Sequence, residues 1–360
     1  MFAHLSPLLL AGIFAVSAGA IWVAGIYVSR ATDVLSKRIG LGQALGGIIV
    51  LAIVTNLPEI AITVSASMSG QVAVAVGNIL GGIAMQTVVL VVLDVFGLGR
   101  QGTLTRQVGS LLPVLEATLV AAVLAVAVLG SQLPKSIQLG GVTPAGFLIV
   151  LLWVLGVWLI GRSQKGLPWE VKQHAGSSSK TFQNQNQGRP PKTTADSPPK
   201  PRPSTLRVAL IFGAAAVVTL VAGVLLERSG EALATQMGMG GAVFGATVLA
   251  AATALPEVST GLAAVKAKDY ELAISDIFGG NAFLPVLLLV AGVVSGKAVL
   301  PLASKLDIYL TGLGILLTGV YIFGLILRPK KQVARMGLDS LAVLVLYALG
   351  VLGLLAIGSG

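Results

Sequence analysis

Two copies of one short motif carry the chemistry this sequence can offer. Leu57-Pro58-Glu59 and Leu255-Pro256-Glu257 each lie inside a long apolar stretch, with a threonine, Thr55 or Thr253, four residues before the glutamate. An ionised carboxylate in a hydrocarbon setting costs at least about 2.5–3.5 kcal/mol, so each glutamate must face a cavity, a cation or a proton. The proline before it removes a backbone donor and frees the carbonyl four residues back, at Val54 and Ala252. It also biases Leu57 and Leu255 away from helical geometry. Each copy therefore supplies a carboxylate, a hydroxyl and unpaired carbonyls at one level, the all-oxygen shell that hard cations require. A proline kink with a buried neutral glutamate would account for one copy. Two copies point to ligands.

The duplication extends further. At a fixed offset of 198 residues, Val54-Thr55-Asn56-Leu57-Pro58-Glu59 overlies Ala252-Thr253-Ala254-Leu255-Pro256-Glu257, and Gly77-Asn78-Ile79-Leu80-Gly81-Gly82 overlies Ser275-Asp276-Ile277-Phe278-Gly279-Gly280, with no gap between the blocks. Asn78, Gly82 and Gln86 are four apart and share one helix face, as do Asp276, Gly280 and Leu284. Asp276 thus lies on the stripe that faces the site, about 12 Å along the axis from Leu284. It is read either as a replacement carboxylate or inner-mouth residue, or as a cap or surface group. The Gly81-Gly82 and Gly279-Gly280 pairs predict close helix approach. Glu116 follows Pro113 and has Gly314 as its repeat partner; it is either a proton carrier or a buried neutral acid. Trp153 and Trp158 read as packing or interfacial aromatics.

The elements that must position these residues follow from composition. Of 360 residues 55% are hydrophobic and 11% charged, with a mean hydropathy of +0.91; a soluble domain carries about 25% charged residues. This is the composition of an integral membrane protein, in which 45 glycines serve helix packing. Absence of cysteine excludes disulfides, thiolate metal sites, iron–sulfur clusters and cysteine nucleophiles. The two histidines, His4 and His174, are too few for a histidine-rich zinc site. Continuous apolar runs of roughly 20 residues predict transmembrane helices rather than a barrel. Ten are expected, near 8–29, 44–68, 72–98, 107–130, 142–161, 207–226, 240–265, 270–296, 306–327 and 338–358. The first has no basic residue before it and continues through Trp22 to Val28, so it reads as a retained helix and not a cleaved signal.

Residues 163–206 are rich in proline, serine, glutamine and lysine and nearly devoid of apolar residues, which predicts a disordered basic linker. It separates a first five-helix half, 1–162, from a second, 207–360. An odd number of spans in each half means that the second enters from the opposite side, the inverted-repeat layout of secondary transporters. With the N-terminus outside, only Lys135, Arg228, Lys297 and Lys305 of the 24 basic residues fall on the outer side. The positive-inside rule then predicts a cell-membrane protein with both termini outside and the linker cytoplasmic. The net charge of +10 is explained by anionic lipid on that side, so no nucleic-acid partner is expected.

At the repeated block the sequence resembles the cation/calcium exchanger superfamily, the sodium/calcium exchangers and their prokaryotic relatives. Each half of that family carries an approximate G-T-S-L-P-E followed by G-N-x-x-G-S-N-x-x-N/D; here T-N-L-P-E precedes G-N-I-L-G-G-I-A-M-Q, and T-A-L-P-E precedes S-D-I-F-G-G-N-A-F-L. The resemblance implies ten spans and a cation site with Glu59, Glu257, Thr55 and Thr253 as ligands. Asn56 and Ala254 stand where the family has serine, as do Gly82 and Gly280. Gln86 and Leu284 stand at the final Asn/Asp, Asn281 keeps the family asparagine, and Ile83 replaces it in the first half. Several sodium-coordinating oxygens are therefore missing, which shifts the expectation toward proton coupling.

The function expected is a secondary active antiporter that exchanges Ca2+ or Na+ against Na+ or H+ by alternating access. Its partners are cations and the bilayer, and no cofactor is implied. The metal-site residues expected are Glu59, Glu257, Thr55, Thr253, Asn56, Gln86, Asn281 and Asp276. The rival readings are a transport-inactive relative, a channel-like relative and a membrane enzyme. No catalytic metal motif, nucleophile–base pair or aspartate-rich prenyl-diphosphate motif supports the enzyme.

Overall fold

The computed structural model describes residues 2–39, 51–134, 136–137, 141–163 and 204–358. The linker's residues 164–203 lie outside this set, as does the start of the second expected span. Within it the chain is almost entirely helical, because apolar runs bounded by Pro, Gly and short polar turns leave the backbone no other way to pair in lipid. Among the described residues, eight helices are long and apolar enough to cross a membrane, and nine if one bent pair counts as a single span. The short apolar helix Leu57–Met68, which carries Glu59, belongs to the second expected span, whose start lies outside the described residues.

The helices of the first half are α1 (Pro7–Ile39), α2 (Leu57–Met68), α3 (Val72–Val92), α4 (Leu104–Gln107), α5 (Leu112–Ser131) and α6 (Pro144–Ser163). A π-helical turn, Leu93–Leu98, prolongs α3. The second half has α7 (Thr205–Gln236), α8 (Gly241–Phe244), a π-helical turn over Gly245–Leu249, α9 (Ala250–Thr253) and α10 (Leu255–Lys266). It continues with α11 (Tyr270–Phe283), α12 (Val286–Ser295), α13 (Lys305–Leu327) and α14 (Leu338–Gly358).

Helices α1 and α7 run ten residues past their expected ends. At 33 and 32 residues each is about 50 Å long, longer than the ~30 Å hydrocarbon core. The two pack chiefly on each other and leave Leu8, Val16, Leu210 and Val217 exposed, as lipid-facing surfaces do. Helices α3 and α11 lie at the opposite extreme, with most of their surface buried. They form the centre of the bundle, where Ile79, Ile83, Ile277 and Phe278 are fully enclosed.

The breaks before the two L-P-E motifs are real. Residues 51–55 are helical, Asn56 leaves the helix, and α2 restarts at Leu57. Helices α9 and α10 meet at Ala254 with a 46° bend. Pro58 and Pro256 occupy the first turns of the new helices, where a missing N–H costs nothing.

One end of the bundle is tied by a polar clasp. Asp94 accepts hydrogen bonds from the Leu104 amide (2.8 Å) and the Gly337 amide (2.6 Å). Gln332 donates to the carbonyls of Gly99 (3.0 Å) and Gly102 (2.6 Å), and Arg328 to those of Arg106 and Val108 (both 2.6 Å). A two-residue-stranded hairpin, β1 (Gln332–Val333) and β2 (Met336–Gly337), supplies the second half's side of this clasp.

Candidate cation site

The two glutamates come together from separate halves. Glu59 is wholly buried in the first turn of α2 and Glu257 is 1% exposed in the first turn of α10. Helix N-termini favour negative charge, so the two breaks place both carboxyls where backbone dipoles tolerate them. They are near enough to repel, and Asp276 adds to the repulsion on Glu257. Among the described residues no three His, Asp or Glu side chains converge as a metal-binding group. A cation held here therefore depends on hydroxyl, amide and backbone oxygens as much as on carboxylates.

Each half lends its threonine to the other half's acid. The Thr55 hydroxyl donates to the Leu51 carbonyl (3.1 Å) and lies 3.5 Å from Oδ1 of Asp276. The Thr253 hydroxyl, 3.2 Å from the Ala250 carbonyl, is within hydrogen-bonding reach of Glu59. Asp276 is buried beside Thr55 rather than at the surface, and its Oδ2 accepts from Thr260 at 2.8 Å. Thr260 escaped the sequence reading because its repeat partner is Ile62, so the duplication gave no signal. Its i+3 spacing from Glu257 places it on the same helix face and was the available clue.

Asn56 and Gln86 fill the space that the family's pattern leaves. Nδ2 of Asn56 donates to the Ala52 carbonyl (2.6 Å), and Nε2 of Gln86 donates to Oδ1 of Asn56 (3.1 Å) and approaches Oε1 of Glu59 at 3.5 Å. A Cβ on Gly280 would come 2.7 Å from the Asn56 amide nitrogen and 3.4 Å from Gln86 Oε1. Gly280 was expected to serve helix approach; instead its missing side chain makes room for the Asn56 amide. Gly81 does serve approach, since a Cβ there would collide with the backbone of Ala246. Across the site Leu284 covers Gly82, 3.6 Å from where its Cβ would stand. Asn281 turns elsewhere, donating to the Ile83 carbonyl (3.3 Å) and the Thr87 hydroxyl (3.2 Å) of α3.

Buried acceptors remain without donors. Oε2 of Glu59, both carboxyl oxygens of Glu257, Oε1 of Gln86 and Oδ1 of Asn281 have no hydrogen-bond partner. Buried polar atoms are nearly always paired, and oxygens that lack donors are satisfied by a cation, a proton or water. Two glycines seat the long helices over this region. A Cβ on Gly25 of α1 would lie 2.7 Å from Pro256, and one on Gly223 of α7 would lie 3.2 Å from the Pro58 carbonyl oxygen. These glycines are themselves 198 residues apart. Each helix crosses the break of the other half, a pairing that the motif comparison did not reach.

Comparison with known proteins agrees with this fold. The chain is 28% identical over 282 residues, 77% of each sequence, to the inner membrane protein YrbG of Escherichia coli (strain K12). Its fold is similar to native YfkE (TM-score 0.64, 15% identity, 95% of this chain and 91% of the other) and to the H+/Ca2+ exchanger CAX (0.64, 12%, 97% and 87%). It is also similar to the sodium–calcium exchanger NCX_Mj (0.58, 15%, 96% and 99%). The sequence profile of the sodium/calcium exchanger protein family matches residues 9–161 and again 207–356, one match for each half, and the chain belongs to that family.

Proposed function

We propose that this protein is a secondary active cation antiporter whose transported cation is held between Glu59 and Glu257. Thr55, Thr253 and Asp276 complete the site, and Asn56 and Gln86 turn their amide oxygens to it when it is filled. The observation that carries the reading is the group of buried acceptor oxygens on Glu59, Glu257 and Gln86 that no donor satisfies. Asn281 is assigned a supporting place, with its amide nitrogen held to the Ile83 carbonyl and the Thr87 hydroxyl of α3. The proposed layout is two five-helix halves of inverted orientation, 1–162 and 207–360, joined by a cytoplasmic linker, 163–206. Support comes from the duplicated breaks, the reciprocal crossings at Gly25 and Gly223, and one family match for each half.

For coupling we favour protons. Leu284 brings no oxygen, Gly82 and Gly280 bring none, and the Gln86 NH2 already sits against Asn56 and Glu59. In the empty carrier two facing carboxylates repel, and a proton on one relieves that repulsion and lets the helices reorient.

The test is cation flux in proteoliposomes under an imposed pH gradient without sodium, and then under a sodium gradient. Wild-type protein is expected to exchange in the first condition. Glu59→Gln and Glu257→Gln should each abolish exchange, a drop of at least about a hundredfold, equivalent to roughly 2.7 kcal/mol, with insertion intact. Undiminished flux in either variant removes the central claim. Silence under the pH gradient with activity under sodium overturns proton coupling.

A further inference from the structure

A second acidic group lies beside the central site, and neither the duplication nor the cation site uses it. Glu116, 2% exposed on α5, faces Ser275 and Glu271 of α11. Its Oε2 has no hydrogen-bond partner. Glu271 is half-buried in the first turn of α11, beside Ser110 and the exposed Asp269. The acids therefore step from surface to interior: Asp269, Glu271, Glu116. Ser275 immediately precedes Asp276, whose carboxylate turns the other way, to Thr260 and Thr55.

Among the described residues, no cationic side chain is seated against Glu116. Helix α13, which packs on α5, carries Asp307 beside Ala127 and Ser131 at the far end. Helix α6 ends in an exposed Arg162, whose guanidinium lies over its own Trp158 at 5.6 Å. The short turn Leu300–Leu302, also against α5, has no ionisable group.

The arrangement is one-sided. At the 198-residue offset the partners of Glu116, Glu271 and Ser275 are Gly314, Ala73 and Gly77. Glu116 and Glu271 both lie near the starts of their helices, α5 and α11, so they serve the face of the membrane nearest those ends.

We propose that Glu116 and Glu271 form a separate proton-binding site, reached only from this face, that sets how readily the central site loads from it. A hydronium ion at Glu271 gives its proton to the Glu116 carboxylate, forming one O–H bond and releasing water, and the reverse step discharges it. The carboxyl of Glu271, at the start of α11, stays charged against the helix dipole, while the interior one carries the proton. With Glu116 neutral, the charge beside Ser275, the residue before Asp276, falls by one, and a cation arriving from this side is held less tightly there. The regulatory part of this inference rests on the antiporter reading, whereas the proton site does not.

The experiment is infrared spectroscopy of full-length protein in lipid, following the protonated-carboxyl stretch and its shift in D2O across a pH titration. In a Glu59→Gln, Glu257→Gln background, Glu116→Gln should remove one carboxyl's intensity and Glu116→Asp should retain it. A band unchanged by Glu116→Gln overturns the site, and so does a carboxylate shift that appears with Ca2+ and not with protons. The second measurement is exchange by protein with intact central glutamates, varying pH on this face while the other is fixed. A single titrating group gives about a tenfold change in occupancy per pH unit beyond its midpoint, and Glu116→Gln should flatten that response. A wild-type profile in Glu116→Gln overturns the regulatory role. Absence of exchange in the wild type refutes the antiporter reading alone, since the infrared result stands apart from transport.

Discussion

At the residue scale, the departures from the family's pattern are linked rather than scattered. Asn56 replaces a small serine, and the glycine at 280 is what lets its amide fit, 2.7 Å from where a Cβ would be. The pair behaves as one exchange of volume across the two halves. Restoring one member alone should therefore fail. Gly280→Ser is expected to push Asn56 off the Ala52 carbonyl and Gln86 off Asn56, an overpacking cost of about 1–3 kcal/mol visible in thermal unfolding, with loss of exchange. Adding Asn56→Ser should recover most of both, because residues in contact are not additive. A double variant no better than Gly280→Ser would show that the two positions are independent. Gln86 belongs to the same unit, since its amide nitrogen bonds Asn56 and reaches Glu59.

At the element scale, the breaks and the glycine crossings define what can move. Helices α2 and α10 restart at Leu57 and Leu255, which leaves carboxylates, hydroxyls and loose carbonyls at the ends of rigid rods. Helices α1 and α7 pass over those ends with no side chain between, at Gly25 and Gly223. Gly25→Ala puts a methyl group against Pro256. It should slow exchange sharply and cost about 1–3 kcal/mol of stability through overpacking. Gly213→Ala on α7 is the matched control, because nothing lies within 4 Å of its Cβ position. There alanine should leave exchange unchanged and add up to about 1 kcal/mol of helix stability. Equal effects of the two would mean that the crossing is ordinary helix surface. The π-helical turns at Leu93–Leu98 and Gly245–Leu249 belong to the same theme: such turns recur at functional sites, and the second sits directly against Gly81.

At the scale of the whole molecule, a buried polar centre is enclosed by apolar helices and tied at one end by the Asp94, Gln332 and Arg328 clasp. In the proposed topology that end, with Arg100, Arg106, Lys330 and Lys331, faces the cytoplasm. The chain has no cysteine, so single cysteines at Ser178 and Ser359, both outside the described residues, report sidedness directly. From outside intact cells an impermeant maleimide should label only the Ser359 position. Labelling at Ser178 would invert the proposed topology and with it the face served by Glu116.

Membrane insertion, the long helices and the two L-P-E breaks were legible in the sequence, because hydropathy, proline and glutamate act locally. A charged residue amid apolar ones has the same meaning wherever the chain later goes. Duplication made Glu59, Glu257, Thr55 and Thr253 stand out, since each copy vouched for the other. What lacked a copy was harder to see: Thr260 pairs with Asp276, yet its repeat partner is isoleucine. The role of Gly280 was misjudged for a related reason, as a glycine in a helix announces nearby space but not its occupant. Whether that occupant is a neighbouring backbone, as at Gly81, or the Asn56 amide, as at Gly280, depends on which helix crosses there. Crossings between α1 and α10 or α7 and α2 join residues more than 150 positions apart, and only tertiary packing, through contact distances of a few ångströms, decides them.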